Sequence, residues 1–130
     1  MQSPPIPLDE ARRLSAVREL ALLDTPAEER FDRITRLALR LFEVSSATIA
    51  LVDETREWIK SSAGFAHPQL AREVSFAAHA IGQGDLLVVE DTVRDARFHN
   101  HPLVLGDPRV RFYAGQPLHA EDASLAGALS

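Results

Sequence analysis

Asp91-Thr-Val-Arg-Asp-Ala-Arg-Phe-His-Asn-His-Pro-Leu-Val-Leu-Gly-Asp-Pro-Arg-Val-Arg-Phe-Tyr-Ala-Gly-Gln-Pro-Leu118 is the stretch around which the rest of the chain is arranged. It places three aspartates, four arginines, two histidines and an asparagine beside two strand-like runs, Leu86 to Val89 before it and Val110 to Ala114 within it. A connection this long and polar is more often a working loop than a spacer. Pro102 to Leu105 has room for one helical turn before Gly106-Asp107-Pro108. Arg97 has Asp91 and Asp95 in reach, and Pro102 and Pro108 restrict the backbone, so the segment is expected to be ordered.

Reading outward from it, Ala47 to Asp53, rich in Ile49, Leu51 and Val52, predicts a strand. Asp53-Glu54-Thr55-Arg56 turns it into a returning strand, Glu57 to Ser62, with Trp58 and Lys60 on one face and Ile59 on the other. Gly64 to Ala71 reads as loop, and Ser75 caps a short helix that Gly82 stops. Two helices come first. Leu8 to Leu22 carries Leu14, Val17 and Ala21 on one face. A second helix runs to about Phe42, with Thr25 as cap, Pro26 in its first turn and Glu28 completing a capping box. Phe31, Ile34, Ala38 and Leu41 form its expected buried stripe, with Leu37 and Phe42 alongside and Arg33, Arg36 and Arg40 wet. Residues 1–7 hold Pro4, Pro5 and Pro7 and are expected to be a disordered lead-in. Arg109 to Leu118 is the fourth strand. Leu125 to Ser130 starts a fifth that Gly127 weakens, which would leave part of the first strand unpaired. Helices followed by strands joined through hairpins and loops make residues 8–130 one α+β domain with an antiparallel sheet.

The 130 residues suffice for one core. A net charge of −5 argues against a nucleic-acid surface. The chain has no cysteine, which removes disulfides, thiolate metal sites, thiol catalysis and thioether-linked chromophores. No apolar run approaches a membrane span and the start lacks a signal-peptide pattern, so the expected location is cytoplasmic, with no membrane partner. There is no Gly-x-Ser-x-Gly elbow and no phosphate loop. His99 and His101, with Asp91, Asp95 and Asp107 nearby, complete no metal-ligand pattern, so neither a metal nor another cofactor is expected.

Several pieces, in one order, resemble a known family. They are Leu22-Leu23-Asp24-Thr25-Pro26, Glu29-Arg30-Phe31-Asp32, Leu51-Val52-Asp53, Trp58-x-Lys60-Ser61, Arg72-Glu73-x-Ser75-Phe76, Ala78-His79-Ala80-Ile81, Arg97-Phe98, Asn100-x-Pro102-Leu103-Val104 and Arg111-Phe112-Tyr113-Ala114-Gly115. From about Leu14 to Ser130 the chain is similar to the GAF domains that precede bacterial diguanylate cyclase (GGDEF) or sensor histidine kinase modules. The resemblance implies a PAS-related antiparallel sheet with the N-terminal helices on one face and a ligand pocket on the other. It implies a non-enzymatic sensory role in bacterial signal transduction, as a ligand binder or a relay to an output domain. Two alternatives stand beside it: a dimerisation module without ligand, and a shortened fragment without independent function. The one enzyme that the resemblance brings in, a free methionine sulfoxide reductase, works through cysteines that are missing here. Ala77 stands where the family has cysteine and Ala71 where it has proline. The family's last strand continues into a closing helix and an output domain, so no kinase or cyclase activity is expected of this chain itself.

For the ligand site the residues that stand out are Trp58, Phe76, Phe98, Phe112 and Tyr113 as walls and Lys60, His79, Asp91, Arg97 and Asn100 as polar contacts. For each aromatic, core packing is the competing role. The partners expected are a small molecule and a second copy, paired through the wide apolar face of the first helix.

Overall fold

The computed structural model describes Gln2–Ser130. In chain order its elements are α1 (Glu10–Glu19), α2 (Glu29–Leu41), β1 (Ala47–Val52), β2 (Arg56–Ala63), β3 (Gln69–Ala71), α3 (Phe76–Gln83), β4 (Leu87–Val89), α4 (Pro102–Leu105), β5 (Tyr113–His119) and β6 (Leu125–Leu129), with single 3-10 turns at Arg72–Val74 and Thr92–Arg94. The strands form one antiparallel sheet in the order β3-β2-β1-β6-β5-β4. Helices α1 and α2 lie on one face, and α3 and α4 on the other. The larger part of the core is on the second face, where Val52, Phe76, Ala80, Ile81, Leu87, Val89, Phe98, Leu103 and Val104 pack together. Among the described residues no helix is long and apolar enough to cross a membrane.

Five expectations are corrected. The terminal strand is not a weak appendage. β6 lies at the centre of the sheet, paired to β1 and β5, and Ser130 and Thr48 exchange two backbone bonds of 2.9 Å. Gly127 is what allows this: a methyl group there would overlap the Ala50 carbonyl oxygen and lie 2.9 Å from the Leu51 α-carbon. Small side chains at Ala126, Gly127 and Ala128 let the backbones approach, so length and bulk were the wrong criteria for this strand.

Second, the stripe expected to bury α2 faces outward. Ile34 is 42% exposed, Leu37 62%, Leu41 68% and Phe42 70%. The helix instead sits on the sheet through Thr35, which is fully buried, with Phe31, Ala38 and Leu39 half-buried. The Thr35 hydroxyl pairs with Ser61 Oγ at 2.9 Å, and Ser61 donates to Asp32 Oδ1 at 2.6 Å. A polar seam of this kind is invisible to a search for apolar periodicity.

Third, α2 starts at Glu29 and Thr25 does not cap it. Thr25 donates to the Leu22 carbonyl and accepts from Lys60, so it secures the loop rather than the helix. Fourth, Gly82 is inside α3; Gly84, at φ 83°, closes that helix in the left-handed conformation. Fifth, Gly64–Ala71, read as loop, contains the edge strand β3.

Helix α1 buries Leu14, Ala16 and Val17 on the sheet. Its Arg13 is 1% exposed and donates to the Val52 and Leu125 carbonyls, tying the helix to β1 and β6. Glu10 accepts from both Arg13 and Arg72. Burial acts to raise its pKa, and the two guanidiniums outweigh that and hold it at about 2.

Candidate functional site

The site grows out of the N-terminus of α3. Ser75 caps this helix, accepting from the Ala78 amide at 2.9 Å, and its hydroxyl also reaches Glu57 Oε1 on β2 at 2.5 Å. The cap fixes Phe76 over the sheet. Around the Phe76 ring stand Phe98 at 4.7 Å, His101 at 4.5 Å and Tyr113 at 4.8 Å, centroid to centroid. His79, one turn along α3, meets the Phe98 ring edge-on at 4.7 Å. These rings fill the space between the sheet and the α3–α4 layer, in the distance range where aromatic pairs attract.

The long polar connection makes hydrogen bonds along its length, and it holds two of these rings. Thr92 hydrogen-bonds Val110 and Arg111 and returns the chain to β5. Asp95 takes a two-pronged bond from the Arg97 guanidinium, at 2.8 and 3.0 Å, and a third from the Arg97 amide. That clamp turns the chain so that Phe98 points inward. His101 is 1% exposed and caps α4: its Nδ1 accepts from the Leu103 amide and its Nε2 donates to the Val74 carbonyl at 2.5 Å. Both ring nitrogens of His101 are engaged within the fold, and no group of three metal-ligating side chains occurs among the described residues.

The residues picked out in the sequence therefore separate. Phe76, His79, Phe98 and Tyr113 come together, with Arg97 at their edge. Phe112 is 51% exposed, and Asp91 and Asn100 are exposed. Asp91 caps the turn at Thr92–Arg94 through the Val93 amide. Trp58 and Lys60 project from the other face of the sheet. Trp58 packs with Val17, Leu51, Leu22 and Leu23. Lys60, 4% exposed, donates to Thr25 Oγ1 and the Pro26 carbonyl and pairs with Glu28 at 2.7 Å, pinning the loop before α2. Alternation placed Trp58 and Lys60 on one face, as found; a bulge opposite Ile49 and Ala50 brings Ser61 to that side as well.

One titratable group of the cluster, Glu57, escaped the sequence reading. Glu57 is 5% exposed, and burial pushes its carboxyl pKa up against the opposing bonds from Ser75 and the Ala77 amide. It stands near Tyr113, whose phenol is raised by burial and by Glu57 and donates to or accepts from Ser130 Oγ at 2.7 Å. His79 and His101 are both lowered by burial, which keeps them neutral, while backbone carbonyls partly offset the effect. The cluster is thus an apolar aromatic body with one carboxyl, one phenol and two neutral imidazoles at its rim. Alternation along β2 did place Glu57 opposite Trp58, but nothing in the sequence placed it beneath Ser75.

Two surface grooves lie on the opposite face. One, of about 440 Å³, is lined by Arg33, Ile34, Arg36, Leu37 and Arg40. The other, of about 330 Å³, includes Asp32, Ser61, Ser62, Phe65 and His67.

The profile of the GAF domain matches residues 26–130. A cyclic di-GMP phosphodiesterase of Pseudomonas aeruginosa is 39% identical over 129 residues, which is 99% of this chain and 22% of that relative's length. Among solved structures, the GAF domain of a phosphoenolpyruvate-protein phosphotransferase from Coxiella burnetii aligns with TM-score 0.63 at 13% identity, over 92% of this chain and 76% of that one. The free methionine-R-sulfoxide reductase of Neisseria meningitidis, in complex with its substrate, aligns with TM-score 0.63 at 15% identity, over 99% and 78%. Identities this low carry the fold alone.

Proposed function

The chain belongs to the GAF domain family, and from that premise we propose that it is a non-enzymatic sensory module of bacterial signal transduction whose aromatic cluster, between the sheet and α3–α4, is the sensing element. The observation that carries this reading is the cluster itself: Phe76, Phe98, His101 and Tyr113 pack together, with His79 against Phe98 and Glu57 near Tyr113, so apolar walls and polar groups converge there. A small ligand acts there by parting the rings, and the rearranged α3 and α4 pass the change through the sheet to α1. The closed packing of the rings favours a second reading, in which the cluster relays strain without any ligand. Thiol chemistry of the reductase kind has no residue to run on, since the chain lacks cysteine.

The stretch shared with the cyclic di-GMP phosphodiesterase supports a place in a protein that turns over or responds to that nucleotide, with the chain as its regulatory segment. Self-association, first assigned to α1, is better placed on α2, because α1 buries its apolar side chains whereas Ile34, Leu37, Leu41 and Phe42 are exposed. Native mass spectrometry of protein purified from its own source tests the ligand reading. A retained small molecule, lost in a Phe76→Ala variant that still folds, is the expected result. A ligand-free parent that also gains no small molecule from a cell extract would leave the strain-relay reading in its place.

A further inference from the structure

The segment Gln2–Pro7 has no regular secondary structure, yet it lies over one side of the aromatic cluster. The Gln2 amide donates to the Arg97 carbonyl at 3.3 Å, and His79 Nε2 donates to the Gln2 carbonyl at 3.2 Å. Further on, Pro5 rests on Gly82 of α3: a methyl group at position 82 would be 2.7 Å from Pro5 Cγ and 3.2 Å from its Cδ and carbonyl oxygen. The Pro7 carbonyl then accepts from the Glu10 amide at 3.2 Å, in the first turn of α1. One short run of chain therefore joins the roof of the cluster to the start of the helix that Arg13 fastens to the central strands.

Two features make this contact reversible. The hold consists of one long backbone bond, one long bond from the His79 ring and a proline contact, and the only large apolar side chain in the segment, Ile6, is 68% exposed and anchors nothing. Pro4, Pro5 and Pro7 also keep the detached segment extended, so little conformational freedom is regained or lost when it leaves or returns.

We propose that Gln2–Pro7 is a detachable strap that covers the His79–Phe98 side of the aromatic cluster and couples that cluster to the start of α1. The proposal rests on reading the cluster as the sensing element. With the strap in place His79 is 8% exposed. Its ring faces Arg97 and Asp95 from the connection, His101 from the cap of α4, and the Gln2 carbonyl from the strap. Nε2 donates to that carbonyl whether the ring is neutral or protonated, so His79 reports on the strap and is not itself the switch. When the strap leaves, water reaches the ring and relieves the burial that lowers its pKa, while the Gln2 carbonyl that raises it is lost, so the midpoint changes by the difference of the two.

Gly82→Ala separates strap from fold. Position 82 is in a helix and exposed, so alanine suits the backbone of α3 and improves its helix propensity, while its methyl group collides with Pro5. In the full chain, NMR of the parent should show Pro5 close to Gly82 and a His79 titration midpoint below the ordinary 6.5. Gly82→Ala should abolish the Pro5 contact, change the His79 midpoint, and shift the Glu10 amide, with the α3 amides still protected. Removal of residues 2–7 should move the His79 midpoint in the same direction. If Pro5 stays on α3 in Gly82→Ala, or if the strap departs and neither His79 nor Glu10 responds, the proposal is wrong. Because no ligand enters this experiment, its failure leaves the ligand reading untouched, and the reverse holds for mass spectrometry.

Discussion

Replacing Gly127 with alanine should be among the most damaging conservative changes in this chain. Gly127 lies opposite Leu51, in the register that also pairs Ile49 with Leu129 and Ala50 with Ala128. Its φ is not in the left-handed region, so the objection to a side chain is space alone. A methyl group would be 2.8 Å from the Ala50 carbonyl carbon and 2.9 Å from the Leu51 α-carbon, and both are backbone atoms of a strand paired on its other edge with β2. No side chain can rotate away, so β1 and β6 must part. Losing one or two ladder bonds between buried strands removes about 1 kcal/mol each, and more where a buried group is left unpaired. Overpacking in a close-packed interior adds roughly 1–3 kcal/mol. The sum, about 2–5 kcal/mol, is a large part of the roughly 5–15 kcal/mol that holds a typical domain together. Urea unfolding followed by circular dichroism measures it, with an unchanged slope showing that the two-state comparison is fair. Gly84→Ala is the control: φ is 83° there and nothing lies within 4 Å, so only the backbone cost of about 1–2 kcal/mol applies. A loss at Gly127 no larger than that at Gly84 would refute the close-approach argument.

Phe98→Ala, at a ring with no exposure, should cost about 3–5 kcal/mol, whereas Phe112→Ala, at a half-exposed ring, should cost under about 1 kcal/mol; equal losses in thermal unfolding would contradict the placement of the two rings. His79 and His101 have folded pKa values below the usual 6.5, so the unfolded chain binds more protons in that window. Their contribution to stability is present above pH 6.5 and is lost as pH falls through the folded values; a melting temperature that falls less on acidification in the double variant His79→Gln/His101→Gln than in the parent is the expected pattern. Glu57 has the opposite sign: its folded pKa is raised above 4.5, so its contribution is complete below pH 4.5 and declines as pH rises. Glu57→Gln should therefore compare better with the parent at pH 7 than at pH 4, and a difference independent of pH would be the contrary result. Leu37→Glu with Leu41→Glu should leave the melting temperature nearly unchanged while shifting any dimer to monomer in analytical ultracentrifugation; a large loss of stability would mean that this face is buried.

The sequence by itself determined the family, the α+β class and most of the elements, because these depend on local signals. Ile49, Leu51 and Val52 mark β1, alternation marks β2, Ser75 caps α3, Pro102 opens a helical turn, and Asp95 pairs with Arg97 in the long connection. Only the tertiary structure decided what depends on approach between distant segments. Apolar spacing on α2 is real, but the face it marks points outward, since Thr35, Ser61 and Asp32 give the sheet side a polar seam. Gly127 weakens a strand in isolation and is required where that strand meets Ala50. Trp58 and Lys60 share sequence signals with Phe76 and Tyr113, yet the sheet stands between the two pairs. His79 and Glu57 acquire their chemistry from burial, which no spacing in one strand or helix can report, because the water excluded from them is displaced by residues far along the chain.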